Sequence, residues 1–271
     1  MRIDIDSVLR ERLPRHYRYI PKWLIHKLES IICQDELNHL LTHNGHLTGA
    51  PFARGVIEDL GVSYELRGSL PDPAHTRVIL TSNHPLGGLD GLVLATATAE
   101  LYPTQTPRFI VNDILEAVEP LRPIFLGVNK HGSQDRSKAQ RIDEAFSSAD
   151  PIVMFPAGLV SRRGPSETIA DLEWHKMAVV KAISSGRDII PVHFSGQNSE
   201  FFYKFASLRQ RLGLRFNVEM IRLPREVILS RGSHYVITFG EPVPCSTLRG
   251  GREATAQAAE LREMVYRLAG H

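Results

Sequence analysis

A histidine and an aspartate with five residues between them stand out in the stretch T-S-N-H-P-L-G-G-L-D-G, residues 81–91. The imidazole of His84 gains and loses a proton near neutral pH, so it could act as a general base. Asp90 could turn back to hydrogen-bond one imidazole nitrogen, fixing the tautomer and stabilising the protonated ring. Gly87 and Gly88 permit the tight reversal that this contact requires. Asp90 could instead cap the next helix, so two interpretations of this pair stay open.

The pattern around this stretch places it at the end of a strand. Residues 77–81 form an apolar run that is typical of a buried strand, and residues 92–97 are typical of a helix. Catalytic groups in α/β folds lie at such junctions, at the carboxyl end of a strand. This context favours the general-base interpretation of His84.

From residue 61 onward, predicted strands and helices alternate along the chain. The predicted strands cover residues 62–66, 77–81, 108–111, 124–128, 152–155, 189–194, 218–223 and 235–239. The predicted helices begin after residue 90 and cover 137–147, 174–183, 199–212 and 252–268. This alternation predicts an α/β fold with a mostly parallel sheet flanked by helices. The last strands are expected to extend the sheet at one edge.

Three further strands are followed by loops that are rich in polar and basic residues. These loops include Lys130 after one strand, Arg162 and Arg163 after another, and the sequence S-G-Q-N-S at residues 195–199. Because the carboxyl ends of parallel strands meet at one edge of a sheet, we expect the loops to converge on His84. A base, several cations and loop amides suit a substrate with a polar or anionic head and a reaction that develops an oxyanion.

The first fifty residues differ in composition and are predicted to form an N-terminal helical appendage. Basic and aromatic side chains cluster there: Arg10, Arg12, Arg15, Arg18, Lys22 and Lys27, with Tyr17, Tyr19 and Trp23. After Pro21, apolar residues recur at helical spacing: Leu24, Leu28 and Ile31, with Ile20, Ile25 and Ile32 widening the stripe. Such a helix can lie in a membrane interface or pack on the protein itself. We therefore divide the chain into a basic amphipathic segment, residues 1–50, and a second domain, residues 51–271.

The composition excludes several classes of protein. The chain has 271 residues and a formal net charge of +2, so no global field indicates nucleic acid as a partner. Its first 18 residues lack the apolar core of a signal peptide, and no apolar run approaches the roughly 20 residues that cross a bilayer. Cys33, His39, His43 and His46 match no closed Cys/His framework, so no metal site is expected. Two distant cysteines fit a reducing cytoplasm.

Four motifs in order resemble the glycerolipid/lysophospholipid acyltransferase family, which includes the 1-acylglycerol-3-phosphate acyltransferases. They are N-H-P-L-G-G-L-D-G (83–91), I-F-L-G-V-N-K (124–130), F-P-A-G-L-V-S-R (155–162) and I-P-V-H-F-S-G (190–196). Within the family, the chain is most similar to the branch labelled hemolysin-like or putative glycerol acyltransferase. The resemblance covers roughly residues 60–245 and makes membrane contact by the N-terminal helix a stronger expectation.

The resemblance implies transfer of a fatty acyl group from acyl-CoA or acyl-carrier protein to the hydroxyl of a lysolipid. His84 would take the acceptor's proton and Asp90 would hold His84 in place, with loop amides at Gly87, Gly88 or Gly158 as candidate oxyanion donors. The residues implied in substrate binding are Asn83, Gly87, Gly88, Lys130, Phe155, Pro156, Gly158, Ser161, Arg162 and Arg163. Neither a metal nor a cofactor is implied, and the expected location is the cytoplasm, peripheral on the inner face of the membrane.

Two departures from the family's pattern bear on the substrate. The family usually places four residues between the histidine and the aspartate, whereas five separate His84 from Asp90. The third motif commonly reads F-P-E-G-x-R-S, but Ala157 stands at the glutamate position and Val160 at the arginine position. In the family that arginine is implicated in holding glycerol phosphate. Either Arg162 and Arg163 compensate, or the acceptor is a lyso-aminolipid with a carboxylate, which we favour slightly over lysophosphatidate.

Two other functions remain open at the level of the sequence. The same His/Asp pair could activate water, which would make the protein a hydrolase of acyl thioesters or lipids. Alternatively, the chain could be a non-catalytic lipid-binding protein, as the label hemolysin-like suggests. An acyltransferase needs an acceptor for product to form, whereas a hydrolase releases fatty acid without one.

Overall fold

Seven strands form one sheet in the computed structural model, which describes residues 2–12, 14–128, 136–164, 167–213 and 217–270. The strands of the sheet are β1 (Ser63–Gly68), β2 (Val78–Ser82), β3 (Arg108–Asn112), β4 (Phe125–Val128), β5 (Ile152–Met154), β8 (Asp188–Phe194) and β9 (His234–Phe239). A separate hairpin pairs β6 (Arg162–Arg163) with β7 (Ile169–Ala170). The helices are α1 (Ile5–Arg12), α2 (Lys22–Ile32), α3 (Gln34–His43), α4 (Ala50–Asp59), α5 (Leu89–Leu101), α6 (Arg136–Ser147), α7 (Met177–Ser185), α8 (Glu200–Arg211), α9 (Leu223–Leu229) and α10 (Glu253–Arg267).

The order of strands across the sheet is β1-β9-β8-β2-β5-β3-β4. The five strands from β8 to β4 are mutually parallel, β9 is antiparallel to β8, and β1 runs parallel to β9. The prediction of a mostly parallel sheet flanked by helices is confirmed. The late strand β9 adds to one end of the sheet as expected, although β1 lies outside it and forms the edge.

Helices cover both faces of the sheet, which explains why its central strands are mostly apolar and buried. Every residue of β2 and of β5 is buried. On one face, the core includes residues of α4 and α5, such as Phe52 and Val93. On the other face, it includes residues of α6, α7 and α10, such as Val179 and Leu261. A strand buried on both faces reads as a continuous apolar run rather than as an alternating pattern.

The strand predicted at residues 218–223 is wrong. A 3-10 helix at Val218–Arg222 leads there directly into α9. Pro224 lies in the first turn of α9, where its missing amide hydrogen is not needed. Val218 and Ile221 are three residues apart and both exposed, whereas the charged Glu219 between them is fully buried. This segment therefore follows a helical period, which a short apolar run does not distinguish from a strand.

The apolar stripe of α2 packs on the protein itself. Ile25 and Ile32 are buried, and α2 lies against α9 and the 3-10 helix at Val218–Arg222. Of the two interpretations of this stripe, the structure therefore supports packing on the core. Trp23 and Tyr19 remain exposed on the outer side of this segment. The proposed division of the chain at residue 50 stays a prediction.

Within the described residues, no helix combines the length and the apolar character that crossing a membrane requires.

Arg187 links the carboxyl end of α6 to the amino end of β2 and to the residues just before β5. Its guanidinium is fully buried just after the left-handed Gly186 that ends α7. It donates hydrogen bonds to five backbone carbonyls, those of Val78, Ala145, Phe146, Ser148 and Asp150, at 2.6–3.4 Å. Burial lowers the pKa of Arg187 to about 10, so the side chain stays charged at neutral pH. These bonds satisfy carbonyls at the end of α6 that have no partner within the helix.

Replacing Arg187 with Met should destabilise the protein by about 3 kcal/mol or more, because several buried carbonyls would lose a charged donor at once. Urea denaturation followed by circular dichroism measures this change. Arg231→Ala, at an exposed arginine, is the matched control and should change the free energy of unfolding by less than about 0.5 kcal/mol. Equal stability of the two variants would contradict the role given to Arg187.

Candidate active site

Asn83 joins the carboxyl ends of β2 and β8. Its side-chain amide donates to the carbonyl of Phe194 at 2.9 Å and accepts from the Phe194 amide at 2.7 Å. Asn83 is buried, and the contact fixes the backbone immediately before His84. A direct contact between Asn83 and a substrate stays a prediction.

The turn after His84 closes around the carboxylate of Asp90. Asp90 Oδ2 accepts hydrogen bonds from the backbone amides of Leu86 at 2.9 Å and Gly87 at 3.2 Å, and Oδ1 accepts from Gly91 at 2.8 Å. Gly87 has a φ of +86°, which a residue with a side chain rarely adopts. Asp90 lies in the first turn of α5, where the helix dipole favours a negative charge. The carboxylate therefore organises the turn, but Asp90 is not the N-cap of α5, because that position is Gly88 and no side chain caps it.

The same carboxylate also contacts His84. The distance from His84 Nδ1 to Asp90 Oδ2 is 3.0 Å, so the five-residue separation is compatible with pairing. Because Nδ1–H donates to the carboxylate, Nε2 is the acceptor nitrogen of the neutral ring, an assignment that follows from the hydrogen bonds. The His84 ring stacks on Phe155 with centroids 4.1 Å apart. Asp90 is fully buried, while the side chain of His84 is 15% exposed.

A second buried carboxylate, which the sequence analysis missed, lies beside this pair. Asp171 Oδ1 accepts from the backbone amide of His84 at 3.1 Å and from the Ser161 hydroxyl at 2.6 Å. Asp171 Oδ2 accepts from the indole of Trp174 at 2.9 Å. In the sequence, Asp171 and Trp174 are three residues apart, but this spacing does not indicate that their segment folds back against His84. Asp171 therefore positions the backbone of the candidate catalytic loop, residues 83–88, rather than the imidazole itself.

Helix α10 supports Asp171 from behind. The backbone amide of Asp171 donates to the Tyr266 hydroxyl at 2.7 Å, and Arg262 donates to the Asp171 carbonyl at 2.7 Å. Burial raises the pKa of Tyr266 to about 12, so its hydroxyl stays protonated. Asp171 thus links α10 to the loop that follows β2.

The charges around His84 favour its protonated form. Burial by itself lowers the pKa of His84, but the charge and hydrogen bond of Asp90, with the charge of Asp171, outweigh it and raise the pKa above its ordinary value. The positive charge of Arg162 acts in the opposite direction. Burial raises the pKa of Asp90, yet His84 and the loop amides more than offset this and hold it below its ordinary value. The pair therefore consists of a carboxylate and an imidazole of raised basicity.

The loop after β5 is packed around His84, as its sequence predicted. Phe155 provides the stacking partner, and the Ser161 amide donates to the His84 carbonyl at 2.8 Å. Pro156 contributes its carbonyl, which accepts from the His175 amide at 3.0 Å. The loop beginning at β5 and the loop beginning at β2 thus form one unit, which confirms their predicted convergence.

The glycine amides suggested as oxyanion donors are engaged within the protein. Gly87 donates to Asp90, Gly88 to the carbonyl of Leu86 at 3.2 Å, and Gly158 to the carbonyl of Phe155 at 2.9 Å. The geometry therefore gives no support to the oxyanion role. A side chain at Gly87 would lie 2.8 Å from Val160 and 2.9 Å from Leu223, so this glycine permits close packing.

The two arginines predicted to bind substrate have different environments. Arg162 is buried and pairs with the fully buried Glu219 at 2.9 Å, and Arg209 pairs with the same carboxylate at 3.0 Å. This placement argues against a substrate contact by Arg162, because its guanidinium is held inside the protein. Arg163 pairs instead with Glu200 and Glu167, two carboxylates that are largely exposed. Lys130 lies outside the described residues.

Helices α8 and α9, with the 3-10 helix at Val218–Arg222, form a cap over the catalytic loop. Asn198, just before α8, donates to the carbonyl of Pro85 at 3.0 Å. Leu223 packs over Gly87, and Val227 lies 3.0 Å from the position of a Cβ at Gly88. This cap was not predicted from the sequence.

Metal ligands are not grouped in the described part of the chain, where no cluster of three or more His, Cys, Asp or Glu side chains could hold an ion. Of the N-terminal histidines, His43 is paired with Asp59, with 2.7 Å between Nδ1 and Oδ2.

Comparisons with known proteins give the class of the molecule. A family model described as Acyltransferase matches residues 7–270, so the chain belongs to the acyltransferase family. This membership confirms the resemblance seen in the sequence motifs. We therefore interpret the His84–Asp90 pair as the candidate active site of an acyltransferase.

Two relatives and one solved structure are similar to this chain over most of its length. The chain is 36% identical to a lyso-glycine lipid O-acyltransferase of Bacteroides thetaiotaomicron, an alignment that covers 98% of this chain and 97% of the relative. It is 37% identical to a protein of the same name from Phocaeicola vulgatus, over 98% and 95% of the two chains. Among solved structures, the 1-acyl-sn-glycerophosphate acyltransferase PlsC of Thermotoga maritima matches with a TM-score of 0.45 and 15% identity, over 92% of this chain and 93% of that one.

The pKa of His84, measured by NMR titration of its ring, should lie above the ordinary value of about 6.5. Asp90→Asn should lower it strongly and Asp171→Asn less so, because each removes a negative charge that favours the imidazolium. Asp59→Asn removes the carboxylate partner of His43 and is the matched control, which should leave the His84 titration unchanged. If Asp90→Asn left the titration in place, the electrostatic account of the pair would be wrong.

Proposed function

We propose that this protein is a lysolipid O-acyltransferase that uses His84 as a general base. It would transfer a fatty acyl group from a thioester, acyl-CoA or acyl-carrier protein, to the hydroxyl of a lyso-glycine lipid. The observation that carries this proposal is the 3.0 Å contact between His84 Nδ1 and the buried Asp90, which directs the basic Nε2 away from the carboxylate. Membership of the acyltransferase family supports the reaction class.

In the proposed reaction, Nε2 of His84 removes the proton of the acceptor hydroxyl as its oxygen attacks the thioester carbonyl carbon. Asp90 stabilises the imidazolium that forms and keeps the ring in one orientation. Collapse of the tetrahedral intermediate breaks the carbon–sulfur bond, and the departing thiolate takes the proton from the imidazolium. The products are an ester and a thiol, so His84 ends neutral and no acyl-enzyme forms.

Two observations support a glycine lipid rather than lysophosphatidate as acceptor. Two relatives that align with nearly the whole chain are lyso-glycine lipid O-acyltransferases. In addition, Val160 occupies the position of the family's phosphate-associated arginine, and it is fully buried between the catalytic loop and the cap. An apolar side chain there provides no cation for a phosphate head group.

Arg163 is our candidate for binding the carboxylate of the acceptor. It follows Ser161, whose amide and hydroxyl bond to His84 and Asp171, by only two residues. Its partners Glu200 and Glu167 are well exposed, and such ion pairs contribute little stability. A substrate carboxylate could therefore replace them at small cost, which is not true of the buried pair between Arg162 and Glu219.

Because the acceptor carries a fatty acyl chain, we propose that the protein works at a membrane surface, on the inner face of the cell membrane. The acyl donor, whether it is bound to CoA or to acyl-carrier protein, is a substrate of the proposed reaction, and the proposed steps require no cofactor. The features that support this setting are the lipid acceptors of the relatives and the exposed Tyr19 and Trp23.

The purified protein, given a labelled acyl thioester and lyso-glycine lipid, should form a diacylated product in a thin-layer assay, and lysophosphatidate should be a poorer acceptor. His84→Ala should reduce kcat by about 10³-fold or more and Asp90→Asn by a similar factor, because proton transfer and ring orientation are lost. Activity should fall as the pH drops below the raised pKa of His84, since the protonated ring cannot accept a proton.

His43→Ala provides the matched control, because it removes another histidine that is paired with a carboxylate. It should retain full activity. Release of label as free fatty acid without any need for acceptor would instead make the protein a hydrolase. Activity that does not depend on His84 would refute the proposed mechanism.

Arg163→Ala should raise the KM for lyso-glycine lipid by roughly 10- to 100-fold with little change in kcat, because a charged hydrogen bond to the head group is lost. Steady-state kinetics with varied acceptor measure this effect. Glu200→Ala, which removes the competing carboxylate, should leave KM unchanged or lower it. A KM that is insensitive to Arg163→Ala would exclude this residue from head-group binding.

A further inference from the structure

The outer side of the cap is apolar although the cap is firmly attached to the protein. Six large apolar side chains on it are 40–65% exposed: Phe201, Leu208, Leu212, Val218, Ile221 and Leu229. Contiguous apolar surface on a protein usually marks a binding site. Isolated exposed leucines are common, but five of these six residues lie within the two helices and the 3-10 helix of the cap, and Leu212 directly follows α8.

The apolar side chains on the outer side are exposed because the opposite side of the cap packs against the protein. Along α8, Phe202, Tyr203 and Ala206 are buried, whereas Phe201 and Leu208 face outward. Buried polar contacts hold this orientation. Glu219 binds Arg162 and Arg209, and Glu226 accepts from the amide and hydroxyl of Ser199 at 2.7 and 2.8 Å. Rotating the whole cap to hide its apolar side would separate the buried Glu219 from Arg162, the partner that lies outside the cap.

Cations and aromatic rings accompany the apolar surface. The guanidinium of Arg222 lies 4.0 Å from the centroid of the Phe201 ring. Helix α2 packs beside α9 and the 3-10 helix, and it adds the exposed Trp23. The exposed cations on these elements and on the segment before α2 are Arg15, Arg18, Lys22, Lys27, Lys204 and Arg211. Apolar and aromatic side chains next to cations favour the interface of a bilayer that contains anionic lipids.

The position of the cap over the loop that carries His84 relates this apolar surface to the proposed reaction. Its inner side touches the catalytic loop through Asn198 on Pro85 and Leu223 over Gly87. A bilayer in contact with the outer side would therefore lie one layer of helices away from the loop that carries His84. The apolar stripe of α2, by contrast, is occupied by packing on the protein.

We propose that the outer side of the cap, together with Trp23, is a docking face that inserts into the surface of a bilayer containing anionic phospholipid. Its purpose in delivering the acceptor rests on the proposed function, whereas binding to vesicles is independent of catalysis. A second copy of this chain is the competing occupant of an apolar surface, and vesicle flotation combined with sedimentation velocity separates the two.

Flotation of the full-length protein with vesicles of phosphatidylcholine and phosphatidylglycerol tests the proposal. The double variant Leu208→Glu/Ile221→Glu should bind roughly tenfold less or weaker still, because it places two charges where side chains enter the interface. The wild type should bind vesicles of phosphatidylcholine alone more weakly, and added salt should weaken its binding to the anionic vesicles.

The matched control is Val180→Glu/Ile183→Glu, which changes two similarly exposed apolar residues on α7, in the layer formed with α6 and α10. It should bind like the wild type, and circular dichroism should show that both double variants are folded. Wild-type protein that does not float, equal binding by the docking-face variant, or equal loss in the α7 control would each overturn the proposal. Sedimentation velocity would also overturn it by showing a wild-type dimer that the docking-face variant dissociates.

Activity assays distinguish a failure of the docking face from a failure of the proposed function. His84→Ala should float like the wild type, while the docking-face variant should still acylate a short-chain acceptor that is dispersed in solution. If vesicle binding behaves as expected but no acyl transfer depends on His84, the docking face stands and the proposed function fails.

Discussion

The structure of the candidate active site depends on the hydrogen bonds and the ion pair that stabilise the buried carboxylate of Asp90. An ion removed from water is strongly disfavoured unless hydrogen bonds and an opposite charge replace its hydration. Three backbone amides, the first turn of α5 and the His84 ring provide that replacement. The requirement to satisfy one charge therefore determines the shape of the turn, the direction of the imidazole and the entry angle of the helix.

Asp171 extends this arrangement to the rest of the molecule. Its Oδ1 accepts hydrogen bonds from both the backbone amide of His84 and the Ser161 hydroxyl, and α10 holds it in place. Two carboxylates thus surround one histidine, and both favour its charged form. In the proposed mechanism, these charges strengthen His84 as a base and also set the lower limit of its working pH, because the ring must be neutral before it can accept a proton.

The cap connects this chemistry with the outside of the protein. Its inner side is polar where it binds Arg162 and apolar where it covers the glycine turn, and its outer side is apolar. Gly87 and Gly88 consequently serve the packing of the cap as well as the turn. This explains why a Gly-Gly pair, rather than any flexible pair of residues, stands between His84 and Asp90.

The sequence alone determined the features that depend on neighbouring residues. The strand–loop–helix around His84, the mostly parallel sheet and the family could all be predicted, because periodicity and short motifs record local structure. Tertiary structure alone decided the contacts between distant segments. Asp171 is 87 residues from His84 and Glu219 is 57 from Arg162, so no local pattern connects them. It also decided that residues 218–223 form helical turns and that α2 packs on the protein, because an amphipathic segment specifies an apolar side but not what will cover it.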